Sequence, residues 1–133
     1  MANECSRGKR FVLIAEDDED DRMLYEFALG HFTKCVEFAF VGNGEELIEH
    51  LNSHKTLPDV ILLDLNMPLM DGRQALKAIR SHPKFKNIPV VCITTSSSPS
   101  DLRFCHEHGA GFFTKPDRMP DFSALVQSQV GMP

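Results

Sequence analysis

The sequence predicts an α/β fold with a five-stranded parallel sheet and helices on both faces. Two observations carry this. Short apolar runs alternate with amphipathic helical patterns five times along 133 residues. The most apolar of those runs are continuous rather than alternating, as expected of strands buried on both faces. The length suits one domain with a sizeable core.

The first strand is Phe11–Ala15, five apolar residues stopped by the acidic run Glu16–Asp21. A helix follows over about residues 19–32, with Leu24, Phe27, Ala28, His31 and Phe32 on one face. The acidic residues at its start complement the helix dipole. Val36–Val41 is the second strand, Gly42-Asn43-Gly44 a turn, and Glu45–Ser53 the second helix, with Leu47, Ile48 and Leu51 apolar. Val60–Leu63 is the third strand and ends at Asp64. The loop from Leu65 to Gly72 leads to a helix over about residues 73–82, whose buried side is Ala75, Leu76 and Ile79. Pro83 stops it. Pro89–Ile93 is the fourth strand, ending at Thr94, and a helix over about residues 100–108 is closed by Gly109. Gly111–Thr114 is the fifth strand, ending at Lys115-Pro116. A short last helix over about residues 121–130 runs into Gly131-Met132-Pro133. A tail over 1–9, one domain over 10–133 and no output domain are expected.

Composition excludes several classes. Hydrophobic residues make up 42% and charged residues 25%, values of a globular chain. The formal net charge of −5 gives no electrostatic reason to expect nucleic acid or an anionic membrane as partner. The N-terminal apolar run is too short for a signal-peptide core, and no stretch is long enough to span a membrane. Cys5, Cys35, Cys92 and Cys105 form no Cys-x-x-Cys pair and read as four thiols in a reducing, cytoplasmic compartment.

In such a sheet, ligands bind where the loops after the strand C-termini meet. Glu16 and Asp17, Asp64, Thr94 and Lys115 all stand at those ends. Converging carboxylates repel by about 4 kcal/mol at about 4 Å in a partly screened setting. A divalent cation relieves that cost, and hard oxygen ligands with an open position suit Mg²⁺ and phosphate oxygens. Asp64 is the natural nucleophile, because a carboxylate can form an acyl phosphate. Lys115 would neutralise the phosphoryl oxygens and Thr94 would donate a hydrogen bond to one of them.

These residues resemble the response-regulator receiver domain of two-component signalling. The matching stretches are Val12–Asp18, Asp59–Pro68, Met70-Asp71-Gly72, Pro89–Thr95 and Phe113–Pro116. Within the family the chain is similar to free-standing regulators, including those paired with bacterial phytochrome kinases. The resemblance implies the flavodoxin-like strand order 2-1-3-4-5. It implies Asp64 as phosphoacceptor, and Mg²⁺ held directly by Asp17, by Glu16 through water, by Asp64 and by the backbone carbonyl of Asn66. Thr94 is the implied switch hydroxyl, Phe112 the switch aromatic and Lys115 the phosphoryl-binding lysine. The bond before Pro116, often cis in relatives, would aim that lysine into the site. The implied donor is a sensor histidine kinase or histidine phosphotransfer protein. Such a chain promotes its own phosphorylation and dephosphorylation, yet serves mainly as a switch. Its downstream partner would read the face around the fourth helix, fifth strand and fifth helix. Asn66 and Ser96 flank the attack path and are expected to tune hydrolysis.

Three departures stand out. The acidic stretch is longer than the site needs. Phe rather than Tyr fills the switch position, so no hydroxyl reports its inward state. The last helix is short. Asp18 to Asp21 are expected to cap the first helix and stay solvated. His50 and His54 have no third zinc ligand nearby in sequence, and in Cys105-His106-Glu107-His108 residues 105 and 106 would point apart on a helix, so neither reads as a zinc site. The alternative function is an interaction module on the same fold that ignores phosphorylation. A flavin carrier of this topology is disfavoured, because the acidic first loop would repel its phosphate. A dehalogenase-type phosphatase would want an aspartate where Asn66 stands.

Overall fold

The computed structural model describes residues 8–131. In chain order the elements are β1 (Arg10–Ala15), α1 (Glu19–Leu29), β2 (Val36–Val41), α2 (Gly44–Ser53) and β3 (Val60–Leu63). They continue with α3 (Gly72–Ser81), β4 (Val90–Thr94), α4 (Pro99–Glu107), β5 (Gly111–Thr114) and α5 (Met119–Val130). The sheet runs β2-β1-β3-β4-β5 with every pair parallel. Both the class and the order are those expected from the sequence.

Strand alternation divides the interior into two cores. Leu13, Ala15, Ile61, Leu63 and Cys92 face one side and pack with Leu47, Leu51, Leu76 and Ile79 from α2 and α3. Val12, Ile14, Val60, Leu62 and Ile93 face the other and pack with Tyr25, Leu29, Phe122 and Val126 from α1 and α5. A strand that feeds both cores must be apolar at consecutive positions, which is why β1 and β3 read as unbroken runs.

The register places the site. Ala15 is level with Val41 and Leu63, and Leu63 with Cys92. The residues that follow therefore emerge at one rim. Glu16 N–H donates to Val41 O at 2.9 Å, and Asp64 N–H donates to Ala15 O at 3.0 Å. These bonds carry the ladder one residue past the strand ends.

Helix starts are set by side chains that satisfy orphan amides. Asp18 accepts from Asp20 N–H, Asn43 from Glu46 N–H and Ser98 from Ser100 N–H. Asp71 accepts from Gln74 N–H while Gln74 accepts from Asp71 N–H, a complete capping box. Asp71 is thus the helix-start residue its neighbour Gly72 suggests. Gly131, at φ 79°, ends α5 in the left-handed region that glycine favours.

Several expectations are corrected. The buried stripe of α1 is Tyr25, Ala28 and Leu29, while Phe27 is 56% exposed. α1 also stops at Leu29, and a 3-10 turn covers Gly30–Phe32. α5 begins at Met119 rather than near residue 121, because Pro120 fits a first helical turn. The Lys115–Pro116 bond is trans, since no cis peptide occurs among the described residues. Cys92 and Cys105 are free thiols. Cys35 is disulfide-bonded, against the reading of four thiols. Cys5, most of the expected 1–9 tail, Met132 and Pro133 lie outside the described residues. Among the described residues no helix is long and apolar enough to cross a membrane.

Candidate functional site

The rim gathers carboxylates around one ammonium group. Carboxylate oxygens of Glu16, Asp17 and Asp64 lie within 4.8 Å of one another. Glu16 and Asp64 are buried and Asp17 is exposed, so the cluster opens to solvent on one side. Lys115 Nζ reaches in from the end of β5. It donates to Glu16 Oε1 at 2.7 Å and to Asp21 Oδ2 at 2.6 Å, and stands 3.5 Å from Asp64 Oδ2. A trans bond before Pro116 suffices to bring the lysine there.

The backbone holds this arrangement. Lys115 N–H donates to Thr94 O at 2.8 Å, tying the exit of β5 to the exit of β4. Asp18 N–H donates to Glu16 Oε2 at 3.2 Å, and Arg22 Nε donates to Glu16 O at 2.6 Å. Asn66 N–H donates to Asp64 Oδ1 at 3.3 Å. Gly72 packs against the Asp64 carbonyl and the Leu65 Cα, where a Cβ would overlap both.

Electrostatics follow from burial and pairing. Burial pushes the Glu16 carboxyl up to about 7, against the hydrogen bond and charge of Lys115, which pull it down. Burial pulls Lys115 down, but its hydrogen bonds to Asp21 and Glu16 outweigh that and raise it above its ordinary value. Tyr25 lies beneath the site, and burial raises its phenol well above the usual range. One lysine faces four carboxylates here, so negative charge remains uncompensated among the described residues. Hard oxygen donors in that state fit a divalent cation.

The structure thus unites Glu16, Asp17, Asp64 and Lys115. Thr94 is fully buried at the end of β4, its hydroxyl accepting from Ser96 N–H at 3.3 Å. Asn66 is exposed, and Ser96 half-buried on the loop after β4. Phe112 is half-buried on β5, level with Cys92 and against the α2–α3 core. Asp21 corrects the sequence reading. It is a site residue bound to Lys115 rather than a solvated cap. Its place in the first turn of α1, one turn beyond Asp17, was the available signal. Arg73 and Asp101 were also missed. Their side chains pair across the edge of the site, with Arg73 Nε 2.6 Å from Asp101 Oδ1.

The fold and rim define a doubly wound α/β domain with an acidic site at the strand ends, and comparison with known proteins makes this specific. Residues 12–127 match the model of the response regulator receiver domain. The chain belongs to that family. It is 33% identical over 130 residues to response regulator Rcp1 of Synechocystis sp., covering 92% of this chain and 87% of that protein. Among solved structures it resembles the phosphorylated cyanobacterial phytochrome response regulator RcpA, with TM-score 0.85 and 31% identity over 91% of each chain. It also resembles the Mn²⁺-bound form of Rcp1, with TM-score 0.82 and 31% identity over 90% of each chain. Receiver domains take phosphoryl groups from sensor histidine kinases and signal by phosphorylation-dependent contacts.

Proposed function

We propose that Asp64 accepts the phosphoryl group, from a sensor histidine kinase or a histidine phosphotransfer protein, in a Mg²⁺-dependent reaction. The observation that carries this is the rim itself: three carboxylates within 4.8 Å, with Lys115 Nζ 3.5 Å from Asp64. Carboxylates of Glu16, Asp17 and Asp64, with the Asn66 backbone carbonyl, would hold the ion. Bound there, Mg²⁺ supplies charge neutralisation for phosphoryl oxygens.

The chain's own groups do the rest. An Asp64 carboxylate oxygen attacks phosphorus, and the donor nitrogen or oxygen leaves with the electron pair. Lys115 stabilises negative charge on the transferred group. Its bonds to Glu16 and Asp21 hold it beside Asp64 before the reaction, so little reorganisation is required. Thr94, at the neighbouring strand end, donates its hydroxyl to a phosphoryl oxygen, and Phe112 moves with the switch. Asn66 and Ser96 border the approach and tune hydrolysis. A downstream protein reads the altered face around α4, β5 and α5.

The test is intact mass after incubation with Mg²⁺ and acetyl phosphate. A phosphoryl-sized gain is expected in the native chain and none in Asp64→Asn. Equal gain in both would remove Asp64 from the role.

A further inference from the structure

Asp101 stands in the first turn of α4 and is 7% exposed. Three short bonds hold its carboxylate. Arg73 Nε donates to Oδ1 and Arg73 Nη2 to Oδ2, both at 2.6 Å. Ser96 Oγ donates to Oδ2, also at 2.6 Å. A bidentate guanidinium–carboxylate pair fixes orientation as well as distance.

Arg73 is anchored on the loop between β3 and α3. Its Nη1 donates to Leu65 O at 3.4 Å and lies 3.5 Å from Asp71 Oδ2. Its Nη2 is 3.5 Å from Asn66 Oδ1, the long end of hydrogen-bonding range. Ser96 is held at both ends. Its hydroxyl goes to Asp101, and its N–H donates to Thr94 Oγ1 at 3.3 Å. A continuous chain therefore runs from the start of α3 through Asp101 and Ser96 to the hydroxyl of Thr94. It reaches Asn66, two residues beyond Asp64, and Ser96, two residues beyond Thr94, the two residues expected to border the approach.

We infer that Arg73 and Asp101 are positioning residues for the phosphoryl chemistry: through Ser96 they clamp the β4–α4 loop over the site and so lengthen the life of a phosphoryl group on Asp64. This rests on the phosphoacceptor reading of Asp64. Loss of the phosphoryl group is hydrolysis. A water oxygen bonds to phosphorus, the bond from phosphorus to the Asp64 oxygen breaks, and its electron pair returns to the carboxylate. The water gives up a proton and inorganic phosphate leaves. On that reading the attacking water passes Asn66 and Ser96. A clamp that immobilises those side chains narrows the entry, and its loss admits water.

The experiment loads the full chain with acetyl phosphate and Mg²⁺, removes the donor by rapid gel filtration, and follows phosphoryl loss by intact mass. Asp101→Asn keeps the shape of the side chain and removes its charge; Arg73→Gln removes the fork. Each is expected to shorten the phosphoryl lifetime about tenfold, the rate equivalent of about 1.4 kcal/mol. In a Ser96→Ala background Asp101→Asn is expected to lose most of its effect, because the clamp acts through Ser96. The swapped pair Arg73→Asp with Asp101→Arg is expected to recover part of the native lifetime. A merely structural role would not produce that coupling or that recovery. Native lifetimes in both single variants, or an undiminished effect of Asp101→Asn without Ser96, would overturn the clamp while leaving the phosphoacceptor intact. Failure of the native chain to load at all would overturn both.

Discussion

Glu16 is expected to make the protein less stable as pH rises through neutrality when no divalent cation is added. The group is 1% exposed, and burial raises its carboxyl from 4.5 to about 7 despite Lys115 at 2.7 Å. A raised acid binds more protons folded than unfolded. Its favourable contribution is therefore complete below about pH 4.5 and lost as pH climbs through about 7. The size of that loss is about 3 kcal/mol. The assay is urea unfolding at several pH values between 4.5 and 8.5, on the native chain and Glu16→Gln, in a chelating buffer. The native chain should lose stability relative to the variant across that range, and the difference should saturate above about pH 8. Added Mg²⁺ should reverse the native loss and leave the variant less affected, because a cation favours the ionised carboxylate. Parallel pH curves for the two proteins would refute the reasoning, and with it the view that burial outweighs the pairing with Lys115 at Glu16.

Three further perturbations follow from the same geometry. Lys115→Ala removes the cation 3.5 Å from Asp64 and should slow modification of Asp64 by acetyl phosphate about 100-fold, measured by intact mass over time. Gly72→Ala forces a methyl group against the Asp64 carbonyl and the Leu65 Cα. It should cost about 1–3 kcal/mol in urea unfolding and lower phosphoryl uptake as well, whereas a surface glycine such as Gly30 should tolerate alanine in both assays. Asp71→Ala breaks the capping box at α3 and should cost about 1 kcal/mol, read from the shift in urea midpoint.

Most of the architecture was legible because it depends on local pattern. Val60–Leu63 could be recognised as a central strand because it feeds both cores and tolerates no polar residue. Asp64 at its end could then be placed on the rim from topology alone. The orientation of α1 was less legible. Phe27 and Tyr25 are both large and aromatic, and helical period alone did not reveal which one Phe122 would meet; the ring centroids of Tyr25 and Phe122 lie 5.0 Å apart. Asp21 was hidden by its company, because any carboxylate of that run could cap a helix or stay in water. Only the reach of Lys115, 94 residues away, selects it. The Arg73–Asp101 pair spans 28 residues and joins two helix starts that have no common motif. Such contacts depend on how α3 and α4 pack, and no spacing in the chain encodes them.

The most direct measurement of the central claim locates the acyl phosphate. The protein is loaded with acetyl phosphate and Mg²⁺, reduced with borohydride to convert the phosphorylated aspartate to homoserine, digested and sequenced by mass spectrometry. Homoserine is expected at Asp64 and at no other carboxylate of the rim. Homoserine at Asp17 or Asp21, with Asp64 unmodified, would contradict it.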